Sequence, residues 1–114
     1  MQRIRITALA VFAALALCLA PTAMAETMEV TIVIKDHKFE PAEVRVPAGE
    51  KIRLIVVNED ATPEEFESHD LNLEKIIGGG RKGTFVFGPL DAGTYKFFGE
   101  FNEDSAQGVV IAEE

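Results

Sequence analysis

From residue 28 onward the chain is built of short runs in which apolar residues fall at every second position, and turn residues interrupt these runs roughly every ten residues. Alternation of this kind places one set of side chains on one face of an extended strand, so each run predicts a strand with one buried side. The runs are "MEVTIVI" (28–34), "AEVRV" (42–46, with Val44 and Val46 on one face), "KIRLIVVN" (51–58, with Ile52, Leu54 and Val56), "TFVFG" (84–88), "TYKFF" (94–98) and "GVVIA" (108–112). Between the second and third, "PAGE" (47–50) places Pro47 at the second and Gly49 at the fourth position of a tight turn. No long helical period competes with the pattern, which therefore predicts an all-β chain folded as a β-sandwich.

One segment is ambiguous. "EEFESHDLNLEKIIGGG" (64–80) carries Leu71, Leu73, Ile76 and Ile77 as a partial helical stripe, yet Glu65, Glu67, His69 and Leu71 alternate as on a strand. We read a strand at its start, ended by the glycines at 78–80 at the latest. "LDAGTY" (90–95) has the form of a tyrosine corner, in which the phenol of Tyr95 bonds back to the backbone and locks a crossover; the other reading is an ordinary turn before an aromatic strand.

The N-terminus has a different character. Arg3 and Arg5 precede the uncharged run "ITALAVFAALALCLA", and "PTAMA" closes it with small residues. This is the three-part pattern of a secretory signal over residues 1–25, cleaved after Ala25, and the run is short for a membrane span. The single cysteine, Cys18, lies inside it and follows Leu17 rather than a small residue, so no stable membrane anchor is expected. A mature chain of residues 26–114 then has no thiol for a disulfide or a thiolate–metal bond.

Removing Arg3 and Arg5 from eleven basic residues leaves nine against nineteen acids, a formal charge of −10. Such a surface repels nucleic acid and anionic lipid and attracts cations, although surplus acid also serves solubility. Ser68 and Ser105 lack a matching base and acid, so no hydrolytic site is expected.

"FEPAEVRVPAGEKIRLIVVNED" (39–60) and "DAGTYKFFGE" (91–100) resemble, in order and separation, the opening half of a cupredoxin and the strand leading into its metal loop. The resemblance implies an antiparallel Greek-key β-sandwich over residues 26–114 with a metal site at one end. Within the family, "EEFES" and "FFGEF" are similar to the EfeO-type periplasmic domains of bacterial iron-uptake systems that contain an oxidase-dependent iron permease. That implies a periplasmic protein that binds iron or copper or assists oxidation of ferrous iron, with permease-system components as partners. The resemblance also breaks: Glu64 and Glu65 stand where a histidine follows N-x-D in blue-copper members, and the last loop, Gly99 to Asp104, has no cysteine, histidine or methionine. Electron transfer through a copper–thiolate bond is thereby excluded.

Carboxylates with imidazoles suit iron, copper(II), manganese or zinc, and carboxylates alone lean toward calcium or magnesium. Glu65, Glu67 and His69 stand at alternate positions, from which they either converge on one ion or form a solvated edge. His37, beside Asp36 in the first connection, joins them if that connection reaches the metal end; otherwise it is an exposed turn residue. Glu100 is the first choice in the last loop, ahead of Glu103, Asp104 and the neutral oxygen of Asn102. The expected metal set is thus Glu65, Glu67, His69, His37 and Glu100, with no catalytic residue. Any assistance to iron oxidation would need a redox partner or bound copper. The competing expectation is a metal-free interaction domain that docks to a permease or oxidase subunit through exposed Phe101.

Overall fold

A computed structural model describes residues 27–114. The expected leader and its cleavage site lie outside the described residues. Nine strands follow one another: β1 (Thr27–Lys35), β2 (Lys38–Glu40), β3 (Glu43–Pro47), β4 (Lys51–Asn58), β5 (Glu64–Ser68), β6 (Leu73–Ile77), β7 (Lys82–Phe87), β8 (Gly93–Gly99) and β9 (Gln107–Glu113). A single 3-10 turn, Glu100–Asn102, is the only helical element among the described residues, none of which forms a membrane-crossing helix.

The strands form two sheets, ordered β2-β1-β4-β7 and β3-β9-β8-β5-β6. The sandwich is as expected, but its sheets are mixed rather than antiparallel throughout. β1 pairs with β4 in parallel, as β3 does with β9, because β3 leaves the first sheet for the second and the chain returns to it with β4. β2 and β6 are additions to the sequence reading. β2 is three residues long, too short to show a period. β6 lay hidden under the helical stripe, whose Ile76 is in fact 61% exposed while Ile77 is buried, a period of two.

Alternation decides what fills the space between the sheets. Ile52, Leu54 and Val56 of β4, beside Phe85 and Phe87 of β7 in the same sheet, share one core with Phe66 of β5, Phe97 of β8 and Val110 of β9 from the other. Phe66 stacks on Phe97 with ring centres 5.1 Å apart, and Phe39 meets both edge-on. Such offset and edge contacts are the favoured arrangements of aromatic quadrupoles. The tyrosine corner is present: the Tyr95 hydroxyl donates to the Asp91 carbonyl at 2.8 Å.

Two sets of polar bonds shape the chain before and after β5. Asn58, fully buried, donates through Nδ2 to the carbonyls of Thr62 and Ile77 and accepts from the Asp60 N–H, which folds the 58–62 loop over the end of β4. Ser68 donates to the Lys96 carbonyl at 2.6 Å, and Asp70 accepts from the Lys96 N–H at 2.8 Å. These side-chain bonds continue the short β5–β8 ladder, whose paired residues are Phe66↔Gly99 and Glu67↔Phe98.

Candidate metal centre

β5 presents its two faces differently. Phe66 points into the core, so Glu65 and Glu67 emerge on the outer face of the five-stranded sheet. The β5–β6 hairpin sets Glu67 directly opposite Glu74, and the 3-10 turn after β8 delivers Glu100. One carboxylate oxygen from each of Glu65, Glu67, Glu74 and Glu100 lies within 4.8 Å of all the others. Like charges directly across a ladder repel, so this arrangement calls for protons or a cation.

The electrostatics follow from the crowding. Glu65 is only 8% exposed, and its carboxylate lies against those of Glu74 and Glu100, with which it can bond only by sharing a proton. Sharing a proton with Glu74 first, then burial, then Glu100, raise its pKa to about 7. Glu67 is raised as well, chiefly by hydrogen bonding to Glu100, with burial and the charges of Glu100 and Glu74 adding and the charge of His69 opposing.

Of the residues expected from the sequence, Glu65, Glu67 and Glu100 come together. His69 does not extend the row, because β5 ends at Ser68 and His69 begins the turn to β6. Its Nδ1 is 3.8 Å from Glu67 Oε1, its ring lies 5.4 Å from that of Phe98, and its side chain is 78% exposed. His37 is not part of the group. It sits with Asp36 at positive φ in the β1–β2 turn, where Asp60 accepts from both backbone N–H groups and its Oδ2 stands 3.6 Å from His37 Nδ1. The His37 N–H bond leads the causes that lower the Asp60 pKa. Glu103 and Asp104 are exposed on the last loop and lie outside the group.

Glu74 was missed. It is legible only once residues 64–77 are read as a hairpin about the turn after Ser68, since that register pairs it with Glu67.

The chain belongs to the Cupredoxin-like domain family, which it matches over residues 7–112. It is 52% identical over 84 residues to an uncharacterized protein of Rickettsia prowazekii (strain Madrid E), covering 74% of this chain and 67% of that one. Auracyanin A, described as a "blue" copper protein from Chloroflexus aurantiacus, superposes with a TM-score of 0.68 at 15% identity over 77% of this chain and 100% of its own. A chain of a heme-copper terminal oxidase dimer gives 0.64 at 16% identity, with 75% of this chain covering 65% of that one. At such identities the two structures speak for the fold alone.

Copper of the blue type does not fit this donor set. Such a site depends on a copper–thiolate bond, and no cysteine occurs among the described residues. At the end of β8 stands Gly99, where a Cβ would fall 2.6 Å from Cδ of Glu64 and 2.7 Å from Cβ of Ala106. A buried carboxylate already fills the space beside it.

Proposed function

We propose that this member of the cupredoxin-like family is a periplasmic cation-binding protein, an accessory of ferrous iron uptake or oxidation, that holds iron or copper(II) through Glu65, Glu67, Glu74 and Glu100. The convergence of these four carboxylates carries the reading. Two oxygens on opposite sides of an ion, each at about 2.0–2.5 Å, are about 4–5 Å apart, so a group confined within 4.8 Å is compact enough to share one cation. Glu65, mostly buried against the carboxylates of Glu74 and Glu100, is the group whose crowding a cation would relieve most. The oxygen-only core leans toward hard cations, and the choice of iron or copper(II) comes from the resemblance. Iron as cargo, an oxidase-dependent permease as partner and export to the periplasm rest on the resemblance of "EEFES" and "FFGEF" and on the leader-like residues 1–25.

Calorimetric titration with Mn2+, Cu2+, Zn2+ and, without oxygen, Fe2+ tests the reading. One ion per chain at about micromolar affinity or tighter is expected, weakened about tenfold or more in Glu65→Gln and Glu100→Gln. Absence of binding by all four metals would sink it.

Phe101 supports a second reading. It is 48% exposed on the same turn as Glu100, next to Glu103 and Asp104, so an aromatic anchor stands among acids. A basic surface on a permease or oxidase subunit would complement it. Capture of such a subunit that Phe101→Ala abolishes and cation removal leaves intact would favour docking over cation binding.

A further inference from the structure

The inner face of β5 carries another carboxylate, which the cation site does not use. Glu64 is 1% exposed. Its Oε1 accepts from the backbone N–H of Phe101 at 2.9 Å and of Glu65 at 3.1 Å, and its Oε2 accepts from Asn102 Nδ2 at 2.6 Å. No Lys, Arg or His among the described residues forms an ion pair with it. Three N–H dipoles alone satisfy this buried group.

The placement of these bonds matters more than their number. The β5–β8 ladder stops at Phe66↔Gly99, one residue before Glu100. Beyond it, the last loop bonds to itself, through the Gly99 N–H to Ala106 O and the Ser105 and Ala106 N–H groups to Asn102 O, and to the β1–β2 turn, where the Ser105 hydroxyl donates to the His37 carbonyl at 2.6 Å; none of these bonds reaches β5. The 3-10 turn has no side-chain cap and buries none of its residues. The bonds from Phe101 and Asn102 to Glu64 therefore hold the turn against β5, and Gly99 leaves the room they need.

We propose that Glu64 is the positioning residue of this site: from inside the sandwich it orders the turn Glu100–Asn102 and so sets Glu100 against Glu65 and Glu67 on the outside. The assignment rests on the proposed function for its consequence, but not for the ordering of the turn. Glutamine can do the same work. Its Oε1 accepts from both backbone N–H groups, and its amide donates to Asn102 once that side chain turns its own oxygen inward. Alanine leaves three donors without an acceptor.

The test compares Glu64→Gln, Glu64→Ala and Asn102→Ala in the full protein, by Mn2+ affinity and by hydrogen exchange at the Phe101 amide. Glu64→Gln should bind Mn2+ within about threefold of the parent, and Glu64→Ala about tenfold or more weaker, the range of losses for residues that orient ligands. Asn102→Ala should fall between them. Phe101 exchange should quicken in Glu64→Ala and stay slow in Glu64→Gln. Parent-like affinity or parent-like Phe101 protection in Glu64→Ala would overturn the assignment. Should that variant not fold, an Asn102→Ala protein with both readings unchanged would overturn it equally. If the parent binds no cation, the proposed function fails by itself, and Phe101 exchange still decides whether Glu64 orders the turn.

Discussion

Glu64 and Glu65 are neighbours on one strand and meet opposite fates. Glu64 faces inward, where two backbone N–H groups and the Asn102 amide surround its carboxylate. Glu65 faces outward but is nearly as enclosed, and its neighbours are the carboxylates of Glu74 and Glu100. Burial is therefore not what separates a structural acid from a candidate ligand here. The sign of the surrounding dipoles and charges separates them: donors complete Glu64, and like charges leave Glu65 wanting a cation or a proton.

The largest effect should come from crowding the inner side. Gly99→Cys places a side chain where Glu64 and Ala106 already stand, and it should destabilise the protein by about 1–3 kcal/mol, read from the urea midpoint. A variant as stable as the parent would show that the inner carboxylate gives way easily, and the contrast between the faces would weaken.

Next comes relief on the outer side. Glu74→Gln, changed at an exposed position, should weaken cation binding about tenfold while raising the melting temperature of the cation-free protein at neutral pH. A lower melting temperature without cation would mean that the four acids do not strain the empty fold.

The pH dependence sharpens the same point. The folded state keeps a proton on Glu65 up to about 7, whereas the unfolded chain releases it near 4.5. In that window the folded state binds more protons, so the cation-free protein should lose stability as pH rises through it. Because a cation displaces those protons, its affinity should rise over the same range. Melting curves with and without Mn2+ should diverge as pH increases, and parallel curves would contradict the assignment of Glu65. The smallest effect belongs to His37→Ala, which should leave cation affinity unchanged because His37 stands with Asp60 in the β1–β2 turn.

Much of this could be read from the chain before folding. Two-residue alternation in 51–58 and 84–88 located β4 and β7, and the Asp91–Tyr95 spacing announced the corner bond. Glu65 and Glu67 were legible as a same-face pair because an extended strand has a period of two. That period placed His69 with them as well, but it holds only while the strand continues, and the bonds of Ser68 and Asp70 to Lys96 turn the chain at that point. The Asn58 and Asp60 of N-x-D prove to be loop-folding groups, a role that depends on carbonyls as distant as Ile77 O.

The sequence by itself determined the sandwich, the family and the absence of a thiol from the described strands, because alternation, turn residues and residue identity are local properties. Only the tertiary structure decided that Glu74 joins the outer acids, that Glu64 is drawn inside, and that His37 belongs to Asp60. Each of these depends on hairpin register or on contacts between distant segments, and a register shift of one residue would exchange the faces of β5 and with them the roles of Glu64 and Glu65.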